Sequence, residues 1–189
     1  MTNAVFQTVD RPAAPVTIRP YRPLDHRACR RLWAELIEAH REIYDDASLG
    51  GADPGAGFEE YLTRLDLAGV WVADHPEVGV VGLIGLVLGG AQAQQTVEPS
   101  GEVEPVVVAA HLRGRGIGRD LLEYVAAQAR KRGMRRLSIS PASRNVDAIR
   151  CLHAAGYDTM ASVTLTIALV AGPGTGSPEL DLPGLTFSY

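Results

Sequence analysis

Residues 102–118 read EVEPVVVAAHLRGRGIG. A β-branched run, Glu102 to Val108, leads into a glycine-rich turn, Arg113-Gly114-Arg115-Gly116-Ile117-Gly118. Behind the turn, Leu121, Leu122, Val125, Ala126 and Ala129 recur at helical spacing and Gly133 supplies a stop. The spacing therefore predicts a strand, a tight turn and a helix over 116–132. Pro105 breaks the strand's ladder because it has no N–H to donate, which calls for a bulge or an unpaired stretch. A glycine-rich turn that opens a helix offers free backbone N–H groups and the positive end of the helix dipole, and so suits a diphosphate. Arg113, Arg115 and Arg119 add charge for phosphates. The spacing is not that of a dinucleotide loop: counted from Gly114 or Gly116, the third glycine would fall on Arg119 or Leu121. A nucleotide-triphosphate loop needs a lysine, and the only one, Lys131, is remote. On these residues alone, an ordinary strand–turn–helix junction with its arginines in water stands beside the anion cradle.

Upstream, Val16 to Arg19 alternates as a first strand. Asp25 stands as N-cap to a helix carrying Ala28, Leu32, Trp33, Leu36 and Ile37 and running to His40 or Tyr44. A glycine-rich acidic loop (45–57) and a short helix (58–67) follow. Val70 to Ala73 and Val78 to Leu88 are two β runs joined by a turn at 74–77. Residues 89–101 form a polar connection. Downstream, Leu137 to Ser140 is a strand, Asn145 to Ala155 a helix closed by Gly156, and Ser162 to Leu169 a long strand. Residues 171–177 link to a last strand, Leu180 to Tyr189. Interleaved strands and helices place the chain in the α/β or α+β class with a mixed sheet. The expected division is an arm (1–15), one domain (16–170) and a glycine-rich link with a C-terminal strand or tail (171–189).

With 46% hydrophobic and 21% charged residues, the 189-residue chain reads as a globular domain rather than a disordered one. The net charge of −4 gives no global attraction to nucleic acid or an anionic membrane. The basic cluster Arg130-Lys131-Arg132 with Arg135-Arg136 straddles a helix C-terminus, where cations are favourable anyway. Val78 to Leu88, the longest apolar stretch, is too short for a bilayer, and the N-terminus has no apolar leader. Cys29 and Cys151 form neither a CxxC nor a zinc spacing, so a reducing cytoplasm and no metal are expected. Cys151 is expected in the core.

Arg113-x-x-Gly116-x-Gly118 resembles the Q/R-x-x-G-x-G/A signature of GNAT acetyltransferases. Asn145-x-x-Ala148 through Ala155-Gly156-Tyr157 resembles that family's downstream motif, an asparagine opening a helix that ends in Gly-aromatic. The order of elements over 16–170 fits as well. The resemblance implies a single GNAT-like domain with a mixed, mostly antiparallel, splayed central sheet flanked by helices. It implies an acyl-CoA-dependent N-acetyltransferase that moves an acetyl group from acetyl-CoA to a primary amine by direct attack on the thioester. The diphosphate would lie on the amides of Arg113, Gly114, Arg115, Gly116, Ile117 and Gly118, with Arg119 adding charge. Pantetheine would run beside Val106, Val107 and Val108, and Asn145 would bond near its thiol end.

An alkylammonium must lose a proton before it attacks, which calls for a carboxylate or an ordered water. Glu102 and Glu104, two apart on a strand, share a face, and either matches the position of the family's glutamate base; the plainer reading is that they cover a strand end. The resemblance places the oxyanion donor at the N–H of Val107 or Val108. The family's tyrosine acid is replaced here by Leu152. His153 is adjacent and could donate a proton, but neighbours on a helix point about 100° apart. The acceptor, a small-molecule or peptide amine, would be gripped by the first two helices, their loop and the C-terminal strands. Asp45, Asp46 and Asp53 could attract a cation there, and Trp33, Tyr44 and Trp71 could line a pocket, though solvated acids and core aromatics are the plainer readings. A homodimer is also implied. The alternative is a catalytically inactive GNAT-like acyl-CoA-binding or regulatory module; Leu152 favours it, while Arg113, Gly116, Gly118, Asn145 and the two glutamates weigh against it.

Overall fold

The computed structural model describes residues 15–89 and 98–162. In it the apolar run of the sequence becomes a central strand, β3 (Gly79–Leu88), buried without interruption from Val81 to Val87. A strand covered on both faces needs no polar alternation, which is why this run shows none. Around it lie β1 (Thr17–Pro20), β2 (Leu67–His75), β4 (Ser100–Val108) and β5 (Arg136–Ser138), in the sheet order β1-β2-β3-β4-β5. The first four strands pair antiparallel, and β5 joins β4 in parallel. The described helices are α1 (His26–Tyr44), α2 (Gly57–Leu62), α3 (Ile117–Lys131) and α4 (Val146–Ala154), with 3-10 turns at Pro23–Asp25 and Ala110–Leu112. The sheet is thus mixed and mostly antiparallel in an α/β chain, as the resemblance implies.

Two positions on β3 show which helices cover which face. A Cβ on Gly82 would lie 3.0 Å from Leu121 Cδ1, so that face meets α3. Gly85, three residues on and therefore on the opposite face, abuts Tyr61 of α2. The core closes between these layers: Leu83, Ile84, Leu86 and Phe58 are fully buried with Ile117, Leu121, Leu122 and Val125 of α3. The expected helix over 116–132 forms almost whole, because its apolar stripe has a sheet to cover.

Several expectations need correcting. Asp25 occupies the N-cap position of α1 but makes no cap bond. Its carboxylate turns back to accept from both Arg19 terminal nitrogens (2.7 and 2.8 Å) and from the Arg22 N–H (2.8 Å). Arg19 also donates through Nε to Asp74 on β2 at 2.8 Å, so the group clamps β1, β2 and the entry to α1. Asp25 is 7% exposed, and the Arg19 guanidinium holds its carboxyl below the usual carboxylate range. The helix expected over 58–67 ends at Leu62, because β2 already starts at Leu67, paired with Val87. Cys151 is exposed, and its neighbour Leu152 takes the buried position on α4. The arm (apart from Pro15), the strands expected at 163–169 and 180–189, and the link at 171–177 lie outside the described residues; Ser162 is described and is not in a strand.

Candidate active site

β4 carries the decisive irregularity. Before Pro105 its residues pair with β3 as Gly101 with Leu88, Glu102 with Val87 and Val103 with Leu86. After it the pairs are Val106 with Ile84, Val107 with Leu83 and Val108 with Gly82. Three steps along β4 therefore span two along β3, which is a bulge at Glu104 and Pro105. The bulge resets the phase of the strand. The Ala109 N–H donates to Val81 O at 2.9 Å across β3, so by alternation the peptide groups of Val107 face β3 while those of Val106 and Val108 face away. Without the extra residue, positions 105 and 107 would face away, and proline at 105 has no N–H to offer.

What lies on that outward side is a gap. β5 pairs with β4 only from Ser100 to Glu102, ending at Glu102 with Ser138. The two strands part there, and the outward edge of β4 from Val106 to Val108 has no neighbouring strand among the described residues. The Val108 carbonyl accepts from Arg113 Nε at 3.0 Å, which leaves its N–H as the group directed into the gap.

The gap leads to the glycine turn. Gly114 and Gly116 take positive φ, 71° and 85°, and Gly116 is the N-cap of α3 without any side-chain cap. Among the described residues nothing accepts the backbone N–H groups of Gly114, Arg115, Gly116, Ile117, Gly118 or Arg119. These groups sit at the positive end of a 15-residue helix, the arrangement that holds an anion. The Arg115 Nε is buried with no partner, which adds a donor awaiting an acceptor. Arg113 is spent on Val108, and Arg119 pairs with Glu123 one turn on.

The two glutamates lie on the α1–α2 face of the sheet, Glu102 before the bulge and Glu104 in it. Their environments differ. The Glu102 carboxylate accepts from Ser140 Oγ at 2.9 Å, at the point where β4 and β5 part. The Glu104 carboxylate is ion-paired with Arg64 at 2.8 Å, and Arg64 also grips Asp66. Asn145 opens α4, and its Oδ1 accepts the Ala148 N–H at 3.1 Å. Its amide NH2 remains to reach a ligand. Leu152 is buried, and His153 is partly exposed on the same helix. Tyr157 packs against the core, and burial pushes its phenol up to about 12.

Of the loop acids, Asp53 pairs with Arg30 of α1, and Asp46 accepts from Ser48 within the loop. Trp33 stacks against Phe58 and Tyr61, Trp71 is in the core, and Tyr44 is half exposed at the end of α1. Among the described residues no group of acids, histidines and cysteines could hold a metal. A hollow of about 110 Å³ between α1 and the start of β3 is lined by residues including Arg31, Glu35, Val80 and His111, and by none of the gap or turn residues.

Sequence reasoning passed over four residues that shape this region. Glu35 of α1 accepts the Ala110 N–H at 2.8 Å and so ties α1 to the 3-10 turn after β4. Tyr61 and Arg64 grip Glu104, and Ser140 holds Glu102. All are remote in sequence from their partners. The one local signal was Gly85, since an isolated glycine inside a strand marks close approach by another group.

Comparison with known proteins bears on this geometry. A family model described as Acetyltransferase (GNAT) family matches residues 26–157. No curated protein matches the sequence. Among solved structures, the aminoglycoside N-acetyltransferase AAC(6')-Iy, solved with CoA, is 18% identical with a TM-score of 0.62, covering 86% of this chain and 99% of its own. A transcriptional regulator from Bacillus halodurans C-125 is 21% identical with a TM-score of 0.60, covering 81% of this chain and all of its own. A Trypanosoma brucei acetyltransferase is 19% identical with a TM-score of 0.55, covering 83% and 100%. At these identities the likeness is one of fold.

Proposed function

The chain belongs to the GNAT acetyltransferase family, and on that footing we propose that it transfers an acetyl group from acetyl-CoA to a primary amine. The observation that carries this reading is the gap beside β4, with outward peptide groups at Val106 and Val108 and a cradle of unpartnered amides at its end. A diphosphate fits that cradle because it would give acceptors to the unpartnered amides and to the buried Arg115 Nε. Val106 offers an N–H and a carbonyl to an amide-containing chain laid along the open edge, as a further strand would use them. Acetyl-CoA would supply the activated acyl carbonyl.

The remaining work falls to side chains and amides of this protein. The Val108 N–H, rather than that of Val107, is aimed into the gap where negative charge develops on the carbonyl oxygen. Glu102 takes the proton from the acceptor ammonium, directly or through a water. Glu104 is the weaker candidate, because Arg64 already holds its carboxylate. The Asn145 amide NH2 steadies the ligand near the base of α4. His153 keeps its place as a candidate donor to the departing thiolate, which can also leave without one.

The test is a melting comparison with acetyl-CoA, NADH and ATP at equal concentration. A ligand at 100 times its dissociation constant adds about 2.7 kcal/mol, or roughly 5–10 °C for a domain of this size. A rise with acetyl-CoA alone, followed by CoA release in an amine screen, is the expected result. Absence of that rise would sink the reading. Binding without turnover against any amine would favour an acyl-CoA-sensing module instead.

A further inference from the structure

At the bulge in β4 the Glu104 carbonyl has a side-chain partner. Tyr61 of α2 supplies its partner: the hydroxyl donates to the Glu104 carbonyl oxygen, from a helix 43 residues away in sequence. Tyr61 is 4% exposed, so water does not readily replace either group. Burial also raises the phenol above its ordinary range, which keeps it a donor at working pH. β3 makes the room. A Cβ built on Gly85, opposite the bulge, would overlap both the Tyr61 hydroxyl and the Glu104 carbonyl oxygen. Just beyond α2, Arg64 holds the Glu104 carboxylate through Nη1 at 2.8 Å while Asp66 steadies it from the other side. One residue of β4 is thus gripped by main chain and side chain from the same segment.

We propose that Tyr61 is a positioning residue for acyl transfer: by pinning the bulge at Glu104, it makes the peptide groups of Val106 and Val108, rather than those of 105 and 107, face the gap. This rests on the gap being the acyl-CoA seat. A strand whose register slips by one residue turns every peptide group and side chain to the opposite side. Here such a slip would present a proline where the open edge needs a donor. The hydroxyl acts only through β4 and need not touch a reacting atom.

The experiment compares Tyr61→Phe with Phe58→Leu. Both change a buried ring on α2, but Phe58 packs on Tyr21, His26 and Trp33 and has no hydroxyl to offer the Glu104 carbonyl. Each variant is assayed well below its own melting point for kcat, for the KM of acetyl-CoA and of the amine, and for hydrogen exchange at Val106 and Val108. Displacement of reacting groups by about 1 Å can cost roughly 100-fold, so Tyr61→Phe is expected to lose about tenfold or more in kcat. Its KM for acetyl-CoA should rise, that for the amine should hold, and exchange at the two amides should change. Phe58→Leu should lower the melting temperature yet keep kcat and both KM values within about twofold of wild type. If Tyr61→Phe does not fold, Gly85→Ala, which crowds the same hydroxyl and carbonyl from β3, should give the same split. Wild-type turnover with either bulge variant kinetically unchanged, or matched by Phe58→Leu, overturns the proposal. A wild type that neither binds nor uses acetyl-CoA overturns the reading beneath it instead.

Discussion

Glu102 and Glu104 are chemically alike and two positions apart, yet the fold gives them different neighbours. Ser140 binds Glu102 where β4 and β5 part, while Arg64 binds Glu104. Glu102→Gln is expected to lower kcat by roughly 10²- to 10⁴-fold at neutral pH. The loss should shrink as the pH rises and the amine deprotonates by itself. Glu104→Gln should have an effect at least about tenfold smaller. Thiol release measured across pH for both variants checks the assignment, and equal losses would remove the distinction. Asp25 is the residue-scale case for stability. Its folded pKa is depressed, first by the hydrogen bonds from Arg19. Its contribution is therefore complete above the unfolded aspartate value, about 3.9, and is lost as pH falls through the lower folded value. Asp25→Asn should destabilise the protein by on the order of 3 kcal/mol at pH 7, by uncoupling a buried pair. Denaturant midpoints should also show a shallower acid-side decline in the variant than in wild type.

At the scale of elements, the turn before α3 and the cap of α4 do separate things. Gly116 has φ of 85° and open space where a Cβ would go, so Gly116→Ala carries a backbone cost without a clash. That cost is about 1–2 kcal/mol, and relaxing it would redirect the amides of the cradle. Acetyl-CoA affinity, read by calorimetry, should fall by more than the melting temperature suggests. Asn145→Ala removes the only described side-chain cap of α4, at a cost of about 1 kcal/mol. The strand–turn–helix unit itself was legible because its signals are local: a β-branched run, glycines and an apolar stripe of period 3.6. The end of α2 was not, because sheet pairing at Leu67 overrode the helical pattern of 63–67. Nor was the turning back of Asp25, since its partner Arg19 is also held by Asp74, which Arg19 meets only through the β1–β2 pairing.

For the whole molecule, the basic cluster is the feature most easily misread from sequence. In the fold Arg132 stacks over Trp71 with its guanidinium 5.4 Å from the ring, and Arg135 pairs with Glu98. Two of the five cations are therefore engaged, and the chain as a whole carries −4. No salt-sensitive retention on DNA is expected at physiological ionic strength; retention lost with added salt would contradict this. By itself the sequence determined the class of fold, the glycine turn at 113–118 and the presence of an irregularity at Pro105, because glycine conformation, proline's missing N–H and hydrophobic period are properties of neighbours along the chain. Only the tertiary structure decided that the irregularity is a bulge, that Val106 and Val108 face the gap, and that Arg64 and Ser140 set the two glutamates apart. Those outcomes depend on register, and register is decided by groups that meet in the fold from 13 to 43 residues away.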